Sequence, residues 1–562
     1  MKAFIALCLL PLISFSQIQL GGNMVGEVSG DRSGWSVSTS ADGTVVAAGA
    51  YLNDDNGSTS GHVRIFKIID GDWVQLGEAI AGDSNGDQSG FSVSLSANGE
   101  IVAIGAPRKR LNGGSNAGHV RVFGFNSSAN SWEQLGGDLD NGERGDRFGF
   151  SVSLSDDGYT LAVGAPTFDP GGLSGGLLSA GQVKIYKYES DNWMQEGQTL
   201  LGEDPFDELG HSLSISGDGS RVALGAGGSG AGNGNKVKIY ENVNGTWEKQ
   251  GNTILPEASN EELGYTISLS NDGSTVALGL SYNEDGFNLG KTRVYQQDNN
   301  MWNKKGEDIE LDVFPGSVSL SATGHILAVG IPSRNVAKVY EYTANNWNPL
   351  GNDIEAENAG DSTGRSVSLS DDGSKLAVGS PLFNQSGNDK GLVRVFDFNA
   401  EPEPTEAFLL VEILGEGSIS PEYDSETAFE VGEEITVEAI PAEGYVFDKF
   451  VIDGEEFMTN PIAIQMDTTI NLAVVFEVGP TLSNDAVQLK NLSVYPNPFR
   501  SSVYLSKVSQ PLSFEIFSSD GLRLQKGKVE NQMLQLDQLK SGLYILKLKG
   551  KDHQKIVKLL KQ

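Results

Sequence analysis

Asp83-Ser84-Asn85-Gly86-Asp87 sets three oxygen-bearing side chains at alternate positions ahead of an apolar stretch, a pattern with which a short loop can hold a hard cation. Asp83, Asn85 and Asp87 are therefore the candidate calcium ligands. Calcium takes about six to eight oxygens, and no bidentate carboxylate follows at the spacing such a loop needs, so the competing expectation is a polar loop without cofactor. The same two readings apply to Asn53-Asp54-Asp55-Asn56-Gly57 and to Asp138-Leu139-Asp140-Asn141-Gly142-Glu143. Arg144-Gly145-Asp146 is a tripeptide that some adhesion receptors read. It stands, however, where the chain elsewhere has Ser29-Gly30-Asp31, Asn85-Gly86-Asp87 and Ala359-Gly360-Asp361, so a structural role is expected.

No catalytic residue is assigned. The histidines His62, His119, His211, His325 and His553 lack metal-ligand spacing, and His62 and His119 precede the same strand in successive copies of a repeat, which makes them architectural. Serine runs such as Ser92-Val93-Ser94-Leu95-Ser96 have no general base beside them and are expected to line inner strands. Nucleophile-elbow, phosphate-loop and zinc-helix motifs are absent from the sequence. An enzyme would have to gather carboxylates or tyrosines at the mouth of the fold.

The element that must position these residues is a repeat. A serine-rich strand, an Asp-Gly or equivalent turn, an apolar V-A-x-G strand, a V-R/K-V/I-Y/F strand and W-x-x-x-G recur along the first 400 or so residues. The turn glycines are Gly43, Gly99, Gly158, Gly219, Gly273, Gly324 and Gly373, giving seven copies. Aspartate then glycine supplies the positive φ of a tight hairpin turn, as at Asp42-Gly43 and Asp372-Gly373. The tryptophan strand occurs six times, at Trp73, Trp132, Trp193, Trp247, Trp302 and Trp347, and is missing from the last copy. Ile18-Gln19-Leu20-Gly21-Gly22 is expected to reproduce it, with Ile18 standing in for the tryptophan. The expectation is an all-β fold: a seven-bladed β-propeller closed by its N-terminal strand, plus two small C-terminal β domains. Small inner and large outer residues fit a wedge-shaped blade, with each tryptophan packed between neighbours. Truncating Trp193 should then cost about 3–5 kcal/mol if it is fully buried.

The chain has 562 residues and a formal charge of −34. Residues 482–562 carry 13 Lys+Arg against 6 Asp+Glu, so the body is acidic and the tail basic. Such acidity opposes nucleic acid and anionic lipid as partners. Met1-Lys2, the apolar run Ala3 to Phe15 and the small residues Ser14 and Ser16 predict a signal peptide over 1–16, whose removal would free the closing strand. Cys8, the only cysteine, lies in it, so no disulfide or thiol is expected after export. No later stretch has the roughly 18 apolar residues of a membrane span. The expected domains are the propeller at 17–398, with 17–22 completing its last blade, a linker at 399–406, a β module at 407–477, a linker at 478–486 and a terminal domain at 487–562. Strands are expected at Phe408 to Leu414, Glu434 to Ala439, Tyr445 to Ile452 and Ile470 to Phe476.

Phe148-Gly149-Phe150-Ser151-Val152 with Val163-Gly164-Ala165-Pro166 resembles the FG-GAP repeats of integrin-α-like propellers. The signature persists at Gly90-Phe91 and Gly105-Ala106-Pro107 and decays to Leu263-Gly264 and Gly279-Leu280. The resemblance implies adhesion or recognition. Calcium-binding members carry an Asp-x-Asp-x-Asp-Gly loop where this chain has only Ser155-Asp156-Asp157-Gly158. Gly417-Ser418-Ile419-Ser420-Pro421, Ala442-Glu443-Gly444-Tyr445-Val446-Phe447 and Ala473-Val474-Val475-Phe476 resemble an internalin B-type repeat, an extracellular spacer or interaction module. Val494-Tyr495-Pro496-Asn497-Pro498, Gly542-Leu543-Tyr544 and Lys555 resemble the type A sorting domain of type IX secretion. Pro496, Asn497, Pro498, Gly542, Tyr544 and Lys555 are its motif positions, and the secretion machinery is the partner it implies.

Together these readings predict a secreted or surface-attached binding protein, located outside the cell after passing the periplasm, with a protein or glycan ligand. Recognition rather than turnover is the expectation. The alternatives are a carbohydrate-active lyase or hydrolase using the propeller funnel, which would need paired carboxylates roughly 5–10 Å apart, and a self-associating surface-layer component.

Overall fold

The computed structural model describes residues 17–111, 116–140, 144–171, 177–227, 235–284, 287–384, 389–399, 406–423, 427–479, 492–506, 512–529, 531–550 and 554–562. The leader, Cys8, His553 and residues 141–143 of the third acidic stretch lie outside them. The described residues are almost entirely β, with a single short 3-10 turn at Pro332–Arg334. The chain divides into two compact units, Met1–Pro402 and Glu403–Gln562.

The first unit is a β-propeller. Its described residues form seven antiparallel sheets; six are built on four strands in chain order, and the last on three, completed by an N-terminal strand. The first such sheet comprises Ser36–Thr39, Val45–Ala50, His62–Ile69 and Asp72–Gln75. The second strand is buried along its whole length, which its Val, Ala and Gly composition permits. The fourth strand is usually broken: Ile80–Ala81 rejoins the third strand beyond Gly77, whose φ of +70° makes the break.

Three circumferential hydrogen-bond systems tie the sheets together. The second serine of each inner strand accepts a backbone amide of the next sheet, Ser38 Oγ from the Leu95 amide at 3.0 Å and Ser94 Oγ from the Leu154 amide at 2.9 Å. The step from the last sheet back to the first is Ser368 Oγ on the Thr39 amide, at 3.0 Å. The first serine bonds the carbonyl of the neighbouring sheet's glycine, as Ser36 does at Gly90 and Ser366 at Gly34. At the far ends of the inner strands a backbone circle runs Ala41, Ala97, Asp156, Gly217, Asn271, Ala322, Asp371 and back to Ala41. Each amide there donates to the next carbonyl at 2.8–3.1 Å. The serine runs are structural hydroxyls.

Outer joints use the tryptophans. Every indole N–H of the six donates to a carbonyl of the preceding sheet, from Trp73 on Leu20 at 2.7 Å to Trp302 on Gln250 at 3.1 Å. The next residue after that carbonyl is the glycine of W-x-x-x-G. A Cβ on Gly197 would sit 2.7 Å from Trp247 Cδ1, and its φ is +75°, so the motif needs glycine on both counts. Ile18–Gln19 and Met24–Val25 pair with Leu392–Asp397 of the last sheet. Ile18 does not fill a tryptophan's place at the remaining joint. Gln17 holds that register, its Oε1 nearest Gly351 and its side-chain amide exchanging two hydrogen bonds with the Asn352 backbone, while Phe398 lies beside it as Tyr188 and Tyr342 lie beside tryptophans.

In the second unit, residues 406–478 form a five-stranded sheet, in which Glu406–Leu414 runs parallel to Ile470–Val478, over a three-stranded one. All four strands expected here are present. Gly417–Ser420, Ala428–Glu430, Glu455–Phe457 and Ile462–Met466 are additional, too short or too plain in alternation to be read from sequence. Residues 494–561 build a three-stranded and a four-stranded sheet around Phe499, Val503, Ile516, Leu546 and Leu559.

Candidate functional site

Because strands alternate in direction, the loops joining sheet to sheet and those joining second to third strands lie at one mouth of the ring, opposite the Asp-Gly turns. At this mouth the residue after each inner glycine points inward: Trp35, Phe91, Phe150, His211, Tyr265 and Arg365. In the sixth sheet that position is Gly316, and Phe314 takes the role from two residues earlier. The rings form a chain around the channel, with centroids 5.8 Å apart for Trp35 and Phe91, 5.0 for Phe91 and Phe150, 5.0 for Phe150 and His211, 5.3 for His211 and Tyr265, and 5.7 for Tyr265 and Phe314. The Arg365 guanidinium lies 4.0 Å over Trp35. All are half-buried. A half-open aromatic collar with polar tips offers large contact area at low entropic cost.

The acidic loops stand on the same face. Asp87 is buried, accepts the Ser84 amide at 2.9 Å and meets Lys109 Nζ at 3.1 Å. Asp83 pairs with Lys109 at 3.1 Å and Arg121 at 2.7 Å. Burial raises the Asp87 carboxyl despite Lys109, whereas Arg121 and Lys109 outweigh burial and lower Asp83. Asn85 bends away, its Oδ1 against Gly57. Asp83 and Asp87 thus meet on the Lys109 ammonium, with the Arg121 guanidinium on the other Asp83 oxygen, and Asn85 stands apart. The motif's aspartate is a turn cap, repeated at Asp31 on the Val28 amide, Asp207 on the Glu203 and Asp204 amides and Asp361 on the Asn358 amide. Asp146, the last residue of Arg144-Gly145-Asp146, occupies this buried position at 4% exposure, out of a receptor's reach. In the second stretch, Asn53 and Asp54 cap their own loop, on the Asp55 and Thr59 amides.

Among the described residues, two groups could still offer a metal mixed ligands: Glu27, Asp55 and His62, and Asp83, His119 and Asp138. His62 Nδ1 lies 3.1 Å from Asp55, and His119 Nδ1 lies 3.7 Å from Asp138. Burial lowers His119 to about 4, leaving a neutral ring at pH 7. Each group also has an arginine on its carboxylate, Arg64 at 3.5 Å from Glu27 and Arg121 on Asp83, which opposes a second cation. Sequence reading missed both groups because each joins a histidine that opens a strand to carboxylates from separate stretches of the chain.

At the opposite mouth Asn271 Nδ2 bridges Asp371 at 3.1 Å and Asp156 at 3.2 Å. Burial raises both carboxyls, and mutual repulsion adds to the shift at Asp156. A raised folded-state pKa favours folding only while the group is protonated, below the unfolded value of about 4, and that contribution is lost as pH rises through the folded value. At neutral pH the charged pair therefore weakens the ring. Asp371→Asn is expected to raise the melting temperature at pH 7, with the gain vanishing below about pH 4. Thermal melts at the two pH values check this.

In the terminal domain, Asn497 clasps the last strand, donating to the Lys558 carbonyl at 2.7 Å and accepting the Leu560 amide at 2.8 Å. Tyr544 Oη donates to the Lys540 carbonyl at 2.7 Å, and Lys555 Nζ to the Leu492 carbonyl at 2.6 Å. Pro496 and Pro498 are exposed on either side of Asn497, and Gly542 opens the strand Gly542–Lys549.

Among known families, the FG-GAP repeat matches residues 27–66 and 139–178, and the Secretion system C-terminal sorting domain matches residues 493–562. A search of curated protein sequences finds no match. Among solved structures, hydrazine synthase of Kuenenia stuttgartiensis is similar at a TM-score of 0.42 and 11% identity, covering 64% of this chain and 94% of that one. A chain of a mitotic checkpoint complex gives 0.42 and 14%, covering 67% and 91%. A protein from Lactobacillus plantarum gives 0.40 and 15%, covering 57% and 84%. Likeness at this level transfers neither activity nor partner. No helix among the described residues is long and apolar enough to cross a membrane. The terminal domain indicates export by type IX secretion to the cell surface or the extracellular space.

Proposed function

We propose that this chain is an extracellular or surface-attached binding protein whose ligand docks at the aromatic mouth of a seven-bladed ring. The observation that carries this is the collar. Six ring-bearing side chains and Arg365 keep part of their surface exposed at one end of the channel, although a purely structural plug would bury them fully. Residues 406–478 serve as an internalin B-like spacer, and 493–562 as the export signal, cleaved or retained at the surface. The acidic loops act as ion-paired turns and no calcium role is assigned to them. The bridge that Asp156 and Asp371 share through Asn271 suits ring closure better than acid–base chemistry. The test uses the purified full chain. Light scattering should show no self-assembly, and a polysaccharide panel should show no release of reducing ends. Arrays of glycans and extracellular proteins should show saturable binding that Phe91→Ala with Phe150→Ala abolishes. Self-assembly without any ligand, or turnover, would overturn the reading.

A further inference from the structure

The fifth sheet departs from the other six. Elsewhere the second strand has six residues and stops at the mouth, as Val45–Ala50 and Ile101–Ala106 do. In the fifth sheet Thr275–Glu284 runs ten and Phe287–Asp298 twelve, paired out to Glu284 and Phe287. The extra pairs form a hairpin that stands above the collar, with Phe287 68% exposed near its tip. This is where the repeat signature decays to Gly279-Leu280: the chain continues as strand in place of the Ala-Pro turn.

The hairpin is anchored from below. Lys291 and Arg293, on its returning strand, are held by Glu261 and Asp308, and Lys291 Nζ lies 4.7 Å over the Tyr282 ring. Between the hairpin and the collar lies a cleft of about 420 Å³, within the range of roughly 300–1,000 Å³ typical of small-molecule sites. Tyr265 and Phe314, an edge-to-face pair at 5.7 Å, form one side and Tyr282 the other. Asn260, Asn283, Asn288 and Glu262 line the rim. Their contacts with one another and with Ser281 are at the surface: Asn260 Nδ2 on the Asn283 carbonyl at 2.7 Å, Asn283 Nδ2 on Asn288 Oδ1 at 2.9 Å and Ser281 Oγ on Glu262 at 3.3 Å.

The geometry points to a neutral saccharide unit as the occupant of this cleft, an assignment that rests on the reading of the chain as a binding protein. Aromatic platforms pack against the C–H faces of a sugar ring, while amides and a carboxylate supply both donors and acceptors to neighbouring hydroxyls. Acidic ligands are disfavoured, because Glu262 lines the cleft and Glu310 sits 3.1 Å from Tyr282 Oη, while Lys291 and Arg293 are already paired. A basic side chain over the same rings is the competing occupant.

The experiment titrates the full chain, followed by intrinsic fluorescence, with cello-, malto-, laminari-, xylo- and manno-hexaose, a uronate oligomer and a lysine-rich peptide. Tyr265→Ala, Asn288→Ala and Phe91→Ala are compared with the parent, and circular dichroism checks folding. At least one neutral hexaose should bind, with affinity falling about tenfold in Tyr265→Ala and about three- to tenfold in Asn288→Ala, a surface change that leaves the fold intact. Binding of only the uronate or only the peptide overturns the assignment. Hexaose binding indifferent to Tyr265 and Asn288 but lost in Phe91→Ala overturns the cleft and leaves the collar reading standing. No hexaose bound overturns the saccharide, while the collar reading is judged on the wider arrays.

Discussion

Trp247→Ala is expected to lower the unfolding free energy of the ring by about 3–5 kcal/mol, read from urea unfolding of the full chain. Trp247 is 2% exposed and packs with Val183, Leu213 and Leu224 across a joint between two sheets. Truncation leaves a ring-sized cavity there. It also strands the Glu196 carbonyl that the indole N–H holds at 3.0 Å, while Gln198 keeps its paired bonds to the Trp247 backbone. Trp132, at an equivalent joint but only half-buried, should lose clearly less on the same substitution, so the difference between the two measures burial rather than the shared hydrogen bond. Equal losses would mean that the carbonyl contact and not the cavity dominates. Gly197→Ala should reproduce part of the Trp247 loss from the opposite side, since its Cβ would collide with the indole edge.

The features that sequence exposed are those each copy must repeat in residue type. A joint needs tryptophan and glycine, a hairpin turn needs glycine, and an inner strand needs hydroxyls at fixed steps, so each requirement recurs in every or nearly every copy, and the strand missing from the last copy points to closure by residues 17–22. The collar escaped notice because its position is shared while its residue varies among Trp, Phe, His, Tyr and Arg, and because Phe314 reaches it from a shifted place. The fifth hairpin was legible only as a weakening of the signature. A loss of pattern signals that something else is built, without saying what. The ion pairing of the acidic loops could not be read, because spacing shows carboxylates but not the Lys109 and Arg121 that reach them from 22 and 38 residues away.

Arg293→Met is expected to cost about 3–5 kcal/mol at pH 7, comparable to the tryptophan, for an electrostatic reason. Arg293 is 1% exposed and grips two carboxylates at once, Glu261 at 3.0 and 3.1 Å and Asp308 at 2.7 and 2.8 Å. Burial by itself would raise both carboxyls. Hydrogen bonds from Arg293, with Lys291 at Glu261 and Lys304 at Asp308, overcome it and hold each at about 2. A depressed folded-state pKa contributes stability above the unfolded value of about 4, and the contribution is lost as pH falls toward 2. The parent should therefore weaken steeply between about pH 4 and 2, and the deficit of Arg293→Met should shrink over the same interval as its stranded carboxylates protonate. Denaturant unfolding across that range follows both. Adding Glu261→Gln and Asp308→Asn to Arg293→Met should recover part of the loss at pH 7, because the penalty is that of buried charge left without a partner and not of the ion pairs' net worth. No recovery would assign the role of Arg293 to packing. Lys291, Arg293, Glu261 and Asp308 secure the base of the fifth hairpin, so Arg293→Met should also loosen the cleft it borders.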